Sequence, residues 1–277
     1  MKVIINNKRG SILDIEKGYI LENLKEYGSL NLKNFDVSVD TFSKFIGKIA
    51  SRITNDPARK ASTKNTQQIM AGDMAMGLHL ENGNAPYVPD FQFFYCPIAP
   101  KKLSRTTYCD GEKAFRRLSK PTAKLLQNRK IMYTRFIDEA LWKKYFSTEF
   151  NKQVTSLDEV RPFLPENTEI IDHDNGKIEW RVRRYAVYND PMSKLKVQAH
   201  SILAPSINYD IPRVTWSDGS LINPSIIGEI IESCEKETHP IDLEDGDVAI
   251  LNNHRVMHGR EEILDPNRVL FGGQGYL

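Results

Sequence analysis

Residues 245–260 read DGDVAILNNHRVMHGR, and RVLFG follows at 268–272. Asp245-Gly246-Asp247 is the chemistry of a tight turn, and Val248-Ala249-Ile250-Leu251 is an apolar run of strand length. His258-Gly259-Arg260 comes after the end of that strand, and Arg268 opens the next one. Far upstream the chain has His79-Leu80-Glu81 at the end of a strand-like stretch, Met76 to Leu80, with a second stretch at Phe91 to Cys96. Strands early and late in the chain, with a long mixed segment between them, fit a jelly roll carrying an insertion better than two independent domains. Alternate residues of a strand point to one side, so His79 and Glu81 can aim at one point. His258 would reach the same point from a strand brought alongside by the fold. Two imidazoles and one carboxylate on one face of a metal leave the opposite positions open, the arrangement of non-heme Fe(II) oxygenases. The planar fork of Arg268 then suits a co-substrate with a remote carboxylate.

Composition excludes several other classes. With 38 Lys and Arg against 36 Asp and Glu, the net charge is +2. The basic residues are spread along the chain, so neither a nucleic-acid nor a membrane partner is expected. The opening residues, MKVIINNKRGSILDIEKG, hold no apolar core long enough for a secretory leader, and no later run approaches a membrane span. The cysteines, Cys96, Cys109 and Cys234, are odd in number and lack CxxC spacing. They read as reduced thiols of a cytoplasmic protein.

The expected architecture is mainly β with flanking helices, an α+β chain forming one oxygenase domain over 1–277. Residues 1–65 read as a helical region: Ile15, Ile20, Leu21 and Leu24, then Phe42, Phe45, Ile46 and Ile49, recur at helical spacing, with a break near Gly28-Ser29-Leu30. Residues 58–67 read as a polar loop, and strand character begins at Met70. Residues 66–110 and 206–277 form the expected jelly-roll core. Residues 111–205 form an insertion over the mouth of the barrel. Helices are expected at 111–128, 142–150 and 223–235, and strands at 179–188, 196–203, 248–252 and 268–273. Trp142, Phe146 and Phe150 would pack the insertion onto the barrel. Phe91, Phe93, Phe94 and Tyr95 would be barrel core.

Seven segments carry a family resemblance: HLENGNAPYVPDFQFFYCPIAP (79–100), RTTYCDG (105–111), KIMYTRF (130–136), WKKYFSTEF (142–150), WSDGSLI (216–222), GDVAILNNHRVMHGR (246–260) and NRVLFG (267–272). In order and content this set resembles the taurine dioxygenase (TauD/TfdA-like) superfamily, and within it the clavaminate synthase-like enzymes and amino-acid hydroxylases of nonribosomal peptide pathways. The resemblance implies a double-stranded β-helix (a cupin-like jelly roll) using Fe(II), with 2-oxoglutarate and O2 as co-substrates. It implies His79, Glu81 and His258 as metal ligands. Arg268 would hold the distal carboxylate of 2-oxoglutarate, helped by Thr106, or by Thr107 if the register slips by one. The implied reaction is oxidation of an unactivated C–H bond, most simply hydroxylation, with desaturation or cyclisation as other outcomes. An amino acid or related small metabolite, free or on a carrier protein, would be the substrate, in natural-product (antibiotic) biosynthesis. Iron halogenases of this fold lack the carboxylate ligand, so Glu81 argues against halogenation.

Two departures stand out. Leu103-Ser104-Arg105 replaces the glycines often found before the threonine. Gly272 stands where many relatives have a second arginine for an acidic substrate group. Arg105, Arg135, Arg183 and Arg184 are the remaining candidates for that task, each expected to be solvated instead. A zinc hydrolase built on the same three ligands is the alternative enzyme class, but it leaves Arg268 and Thr106 without a role. A non-catalytic jelly-roll binding protein has no need of an intact ligand set. Asp172-His173-Asp174, followed by Asn175-Gly176, reads as a hairpin turn and not a metal cluster. His200 reads as core, and Arg260 either touches the site or braces the loop after His258.

Overall fold

Period-two alternation in two strands organises the structure, a computed structural model in which residues 1–69, 72–173, 175–204 and 211–277 are described. Phe91–Ile98 and Asp247–Asn252 run antiparallel, with Ala249 opposite Phe94 and Ile250 opposite Phe93. One face presents Phe91, Phe93, Tyr95, Val248 and Ile250 to the helices Lys17–Tyr27 and Val39–Ile49. The other presents Phe94, Cys96, Ala249 and Leu251 to Val256 and Leu270 in the space between two sheets. The aromatic run therefore serves two cores, and only Phe94 of the expected four points inward.

The larger sheet has seven strands, ordered Lys2–Ile5, Ser29–Lys33, Asp247–Asn252, Phe91–Ile98, Val269–Tyr276 and Arg52–Thr54, with Gln67–Gln68 also on Val269–Tyr276. The smaller sheet is ordered Thr238–Pro240, Thr106–Asp110, Val256–Arg260 and Met76–His79. Together they form the jelly roll. A third sheet, Arg213–Trp216, Lys130–Ile137, Ile178–Tyr185 and Thr168–Asp172, lies in the insertion. Trp142 and Phe146 of the helix Glu139–Phe150 pack on it against Trp180 and Val182. The strand Arg213–Trp216 comes from the stretch expected in the jelly-roll core.

The N-terminal region is not purely helical, because it lends three strands to the larger sheet. Gly28, at φ 73°, ends the first helix in the left-handed region, and Ser29–Lys33 then pairs with Val248–Leu251. Five residues joined to a strand more than two hundred positions away leave no local signature. The expected helix over 111–128 divides at Leu118-Ser119, where Ser119 caps the helix Lys120–Asn128. The expected strand 179–188 is interrupted after Tyr185, and that at 196–203 stops at Gln198. Pro224–Glu235 is helical as expected, with Asn223 accepting from Ser225 N at its start. His173 N donates to Lys177 O at 3.0 Å; Asp174 lies outside the described residues, as do Met70, Ala71 and 205–210. The cysteines are free and buried. No helix among the described residues is long and apolar enough to cross a membrane.

Candidate metal centre

The strand Val256–Arg260 lies between Met76–His79 and Thr106–Asp110, and its register places His258 directly opposite His79 and Tyr108. A bulge follows His258. Gly259 permits the close approach there, since a Cβ at this position would stand 2.6 Å from the Met76 carbonyl and 3.0 Å from Thr107 Oγ1. The imidazoles of His79 and His258 have centroids 4.3 Å apart, and the edge of Phe94 lies against His258. His258 Nε2 is 3.4 Å from Glu81 Oε2. One ligand atom from each of His79, Glu81 and His258 lies within 4.8 Å of the other two.

The strand stops at His79, so Glu81 does not reach the site by simple alternation. Glu81 begins a turn, with Asn82 in the left-handed region at φ 53°. Two buried side chains, neither evident from the sequence, hold that turn. Asn253 accepts from Glu81 N at 2.9 Å and donates to the carbonyls of Glu81 at 3.1 Å and Pro89 at 2.8 Å. Ser201 accepts from Leu80 N at 3.2 Å and donates to Leu80 O at 3.1 Å. The backbone around the carboxylate is thus fixed from both sides.

The electrostatics leave His79 and Glu81 in the states a metal needs. Burial, with the neighbouring His258, pulls the His79 imidazole down to about 4, so it is neutral at working pH. Burial pushes the Glu81 carboxyl up, but the hydrogen bond from His258 and the charge of Arg59 outweigh it, leaving it at about 2. His79 Nδ1 lies 3.0 Å from the Gly77 carbonyl, a bond that makes Nδ1 the donor and frees Nε2.

Thr106 and Arg268 line the same pocket as the three ligand candidates, together with Arg59 and Arg260. Thr107 is not among the residues that line it. Arg268 Nη1 donates to the Ser104 carbonyl at 2.9 Å, and Nη2 is buried without a partner. Arg260 donates to the carbonyls of Gly72 and Met74, bracing the segment before the His79 strand. Arg59, from the stretch read as a polar loop, was not anticipated. At Gly272 a Cβ would stand 2.9 Å from Ile69 Cδ1, so the position is filled from the other side.

Of the four arginines expected to be solvated, two are not. Arg105 pairs with Glu261, and Arg183 with Glu169, at the surface. Arg135 is buried, and so is Nε of Arg184, on the inward face of the insertion sheet. His200 is buried as expected, yet it lines a cavity beside Arg184.

Comparisons with known proteins agree with this architecture. A clavaminate synthase-like protein of Arabidopsis thaliana is 23% identical over 285 residues, covering 92% of this chain and 84% of that protein. The crystal structure of PvcB from Pseudomonas aeruginosa superposes with a TM-score of 0.66 at 12% identity, covering 99% of this chain and 85% of the other. A taurine dioxygenase from Burkholderia xenovorans superposes at 0.61 with 14% identity, over 94% and 79% of the two chains. The family model described as "Taurine catabolism dioxygenase TauD, TfdA family" matches residues 7–274. The chain therefore belongs to the TauD/TfdA family of dioxygenases.

Proposed function

We propose that this dioxygenase uses Fe(II), 2-oxoglutarate and O2 to hydroxylate an unactivated C–H bond of an amino acid or related small metabolite. The substrate would be free or carrier-bound, in natural-product biosynthesis. The observation that carries the reading is the convergence of His79, Glu81 and His258 within 4.8 Å in the pocket that also holds Thr106 and Arg268.

Two imidazoles and one carboxylate are the donor set of a facial Fe(II) site, and these residues fit it. When bound, iron supplies the oxidation of the substrate coupled to decarboxylation of 2-oxoglutarate to succinate. The residues of the chain do the rest. His79, oriented through the Gly77 carbonyl, and Glu81, held by Asn253, keep their donor atoms in place. The unpartnered Nη2 of Arg268 offers a donor to the distal carboxylate of 2-oxoglutarate, and the Thr106 hydroxyl adds a second. Ile69, Met76, Phe94 and Leu270 wall the pocket with apolar surface that limits water. Glu81 supports insertion of oxygen over halogen, since it fills the position a halide would take.

Anaerobic addition of Fe(II) and then 2-oxoglutarate to the metal-free protein, followed by visible absorption, tests this. A charge-transfer band that needs both additions is the expected result. Tight metal binding with no band would overturn the 2-oxoglutarate reading in favour of a hydrolytic zinc site with the same donors.

A further inference from the structure

Outside the metal pocket, a cavity of about 270 Å³ lies between the insertion sheet and the turn that follows Glu81. Leu80, between the two ligand candidates of that segment, forms one of its walls. Val88 and Ala199 extend the apolar surface, and Tyr133 and Tyr188 add ring faces. The volume is at the lower edge of the range for small-molecule sites and suits a small organic ligand.

Arg184 is the unusual group in this lining. Its Nη2 donates to the carbonyls of Ala85 at 2.9 Å and Pro86 at 3.0 Å. Its Nε is buried with no hydrogen-bond partner, and Nη1 makes no hydrogen bond among the described residues. No carboxylate of the described residues pairs with it; the ionisable groups acting on it are tyrosines, Tyr188, Tyr145 and Tyr133 foremost. The other basic side chains of the cavity have partners of their own. Arg183 is bound to Glu169, His254 lies 2.9 Å from Asp90, and Lys130 stands over the ring of Tyr185. A guanidinium that only braced two carbonyls would not need burial without a counter-charge, which is costly. A ligand that brings the negative charge removes that cost.

We propose that this cavity binds an organic carboxylate with an apolar body, the acid received by Arg184 and the body lying between Leu80, Ala199 and the tyrosine rings. Two sources supply that chemistry: the molecule being oxidised, or a second molecule bound beside the metal pocket.

The test titrates the full-length metal-free protein calorimetrically with 3-phenylpropionate, indole-3-acetate and hexanoate, each against its neutral amide. At least one acid is expected to bind about tenfold or more tightly than its amide. That preference should vanish in Arg184→Gln, survive in part in Arg184→Lys, and persist in Arg268→Ala, which separates this cavity from the metal pocket. The Fe(II) and 2-oxoglutarate band of Arg184→Gln reports on folding and on the oxygenase reading independently. No preference for acid over amide in any wild-type pair, a measurement that needs no variant, overturns the proposal. A preference lost in Arg268→Ala but kept in Arg184→Gln also overturns it. Mass analysis of the bound acid after aerobic turnover distinguishes the sources. A gain of oxygen identifies it as the substrate; an unmodified acid that changes the rate of succinate formation identifies a second ligand.

Discussion

Arg268 engages one donor with the Ser104 carbonyl and leaves Nη2 buried and unpartnered, facing the pocket of the ligand candidates. Truncating it removes a charge-assisted contact to a dianion, so Arg268→Ala should raise KM for 2-oxoglutarate by about 10- to 100-fold. At saturating 2-oxoglutarate, kcat should change far less; an unchanged KM would remove Arg268 from the co-substrate site. At His79 the folded protein holds the imidazole near 4, below its ordinary 6.5, so the unfolded chain binds more protons. Stability from this residue is whole above pH 6.5 and is lost as pH falls toward 4. Glu81 adds a similar loss lower down, between 4.5 and 2. Thermal unfolding of the metal-free protein should therefore weaken between about pH 7 and pH 5, by about 2 kcal/mol from His79. His79→Gln should flatten that slope and abolish succinate formation; an equally steep slope in the variant would refute the assignment.

At the scale of the element, the decisive feature is where a strand ends. The sequence reading carried the strand through Leu80 and used alternation to aim His79 and Glu81 together. The strand ends at His79, and Asn253 holds the turn that brings Glu81 back to the site. Asn253→Ala leaves three buried backbone groups without their partner. It should weaken Fe(II) binding by about 10- to 100-fold although Asn253 is not a ligand, and lower stability by about 2 kcal/mol or more. Metal titration beside thermal unfolding checks both, and intact metal affinity would show that the turn holds without the clamp. Asn252-Asn253 gives no hint of this in the sequence, because the clamp joins residues 172 positions apart.

Across the whole molecule, Glu149 ties distant parts of the chain together. Buried in the insertion helix, it accepts from Arg52 at 2.8 Å, Thr54 at 2.5 Å and Tyr276 OH at 2.9 Å. The insertion is thereby fastened to the edge of the larger sheet, where the strands Arg52–Thr54 and Val269–Tyr276 pair. Glu149→Ala should cost about 3 kcal/mol, the partial exposure of Arg52 keeping it toward the low end for a broken buried pair. Early proteolytic cleavage within the insertion is expected with it; a variant as stable and resistant as the parent would show that apolar packing alone docks the insertion.

What the sequence determined by itself was the chemistry and the main periodicities. The apolar run 248–251, the helical spacing of Phe42, Phe45, Ile46 and Ile49, and the order of HLE, HGR and RVLFG are local patterns, and local patterns are written in adjacent residues. They were enough to anticipate the jelly roll and to nominate His79, Glu81, His258 and Arg268; the family resemblance added Thr106, and the fold gathers all five into one pocket. Only the tertiary structure decided how Glu81 is aimed, that Ser29–Lys33 is a strand, that Thr106 and not Thr107 lines the pocket, and that Nε of Arg184 is buried beside a cavity. Each of these depends on register or burial between segments far apart in the chain. Register and burial are properties of the partner surface as much as of the residue.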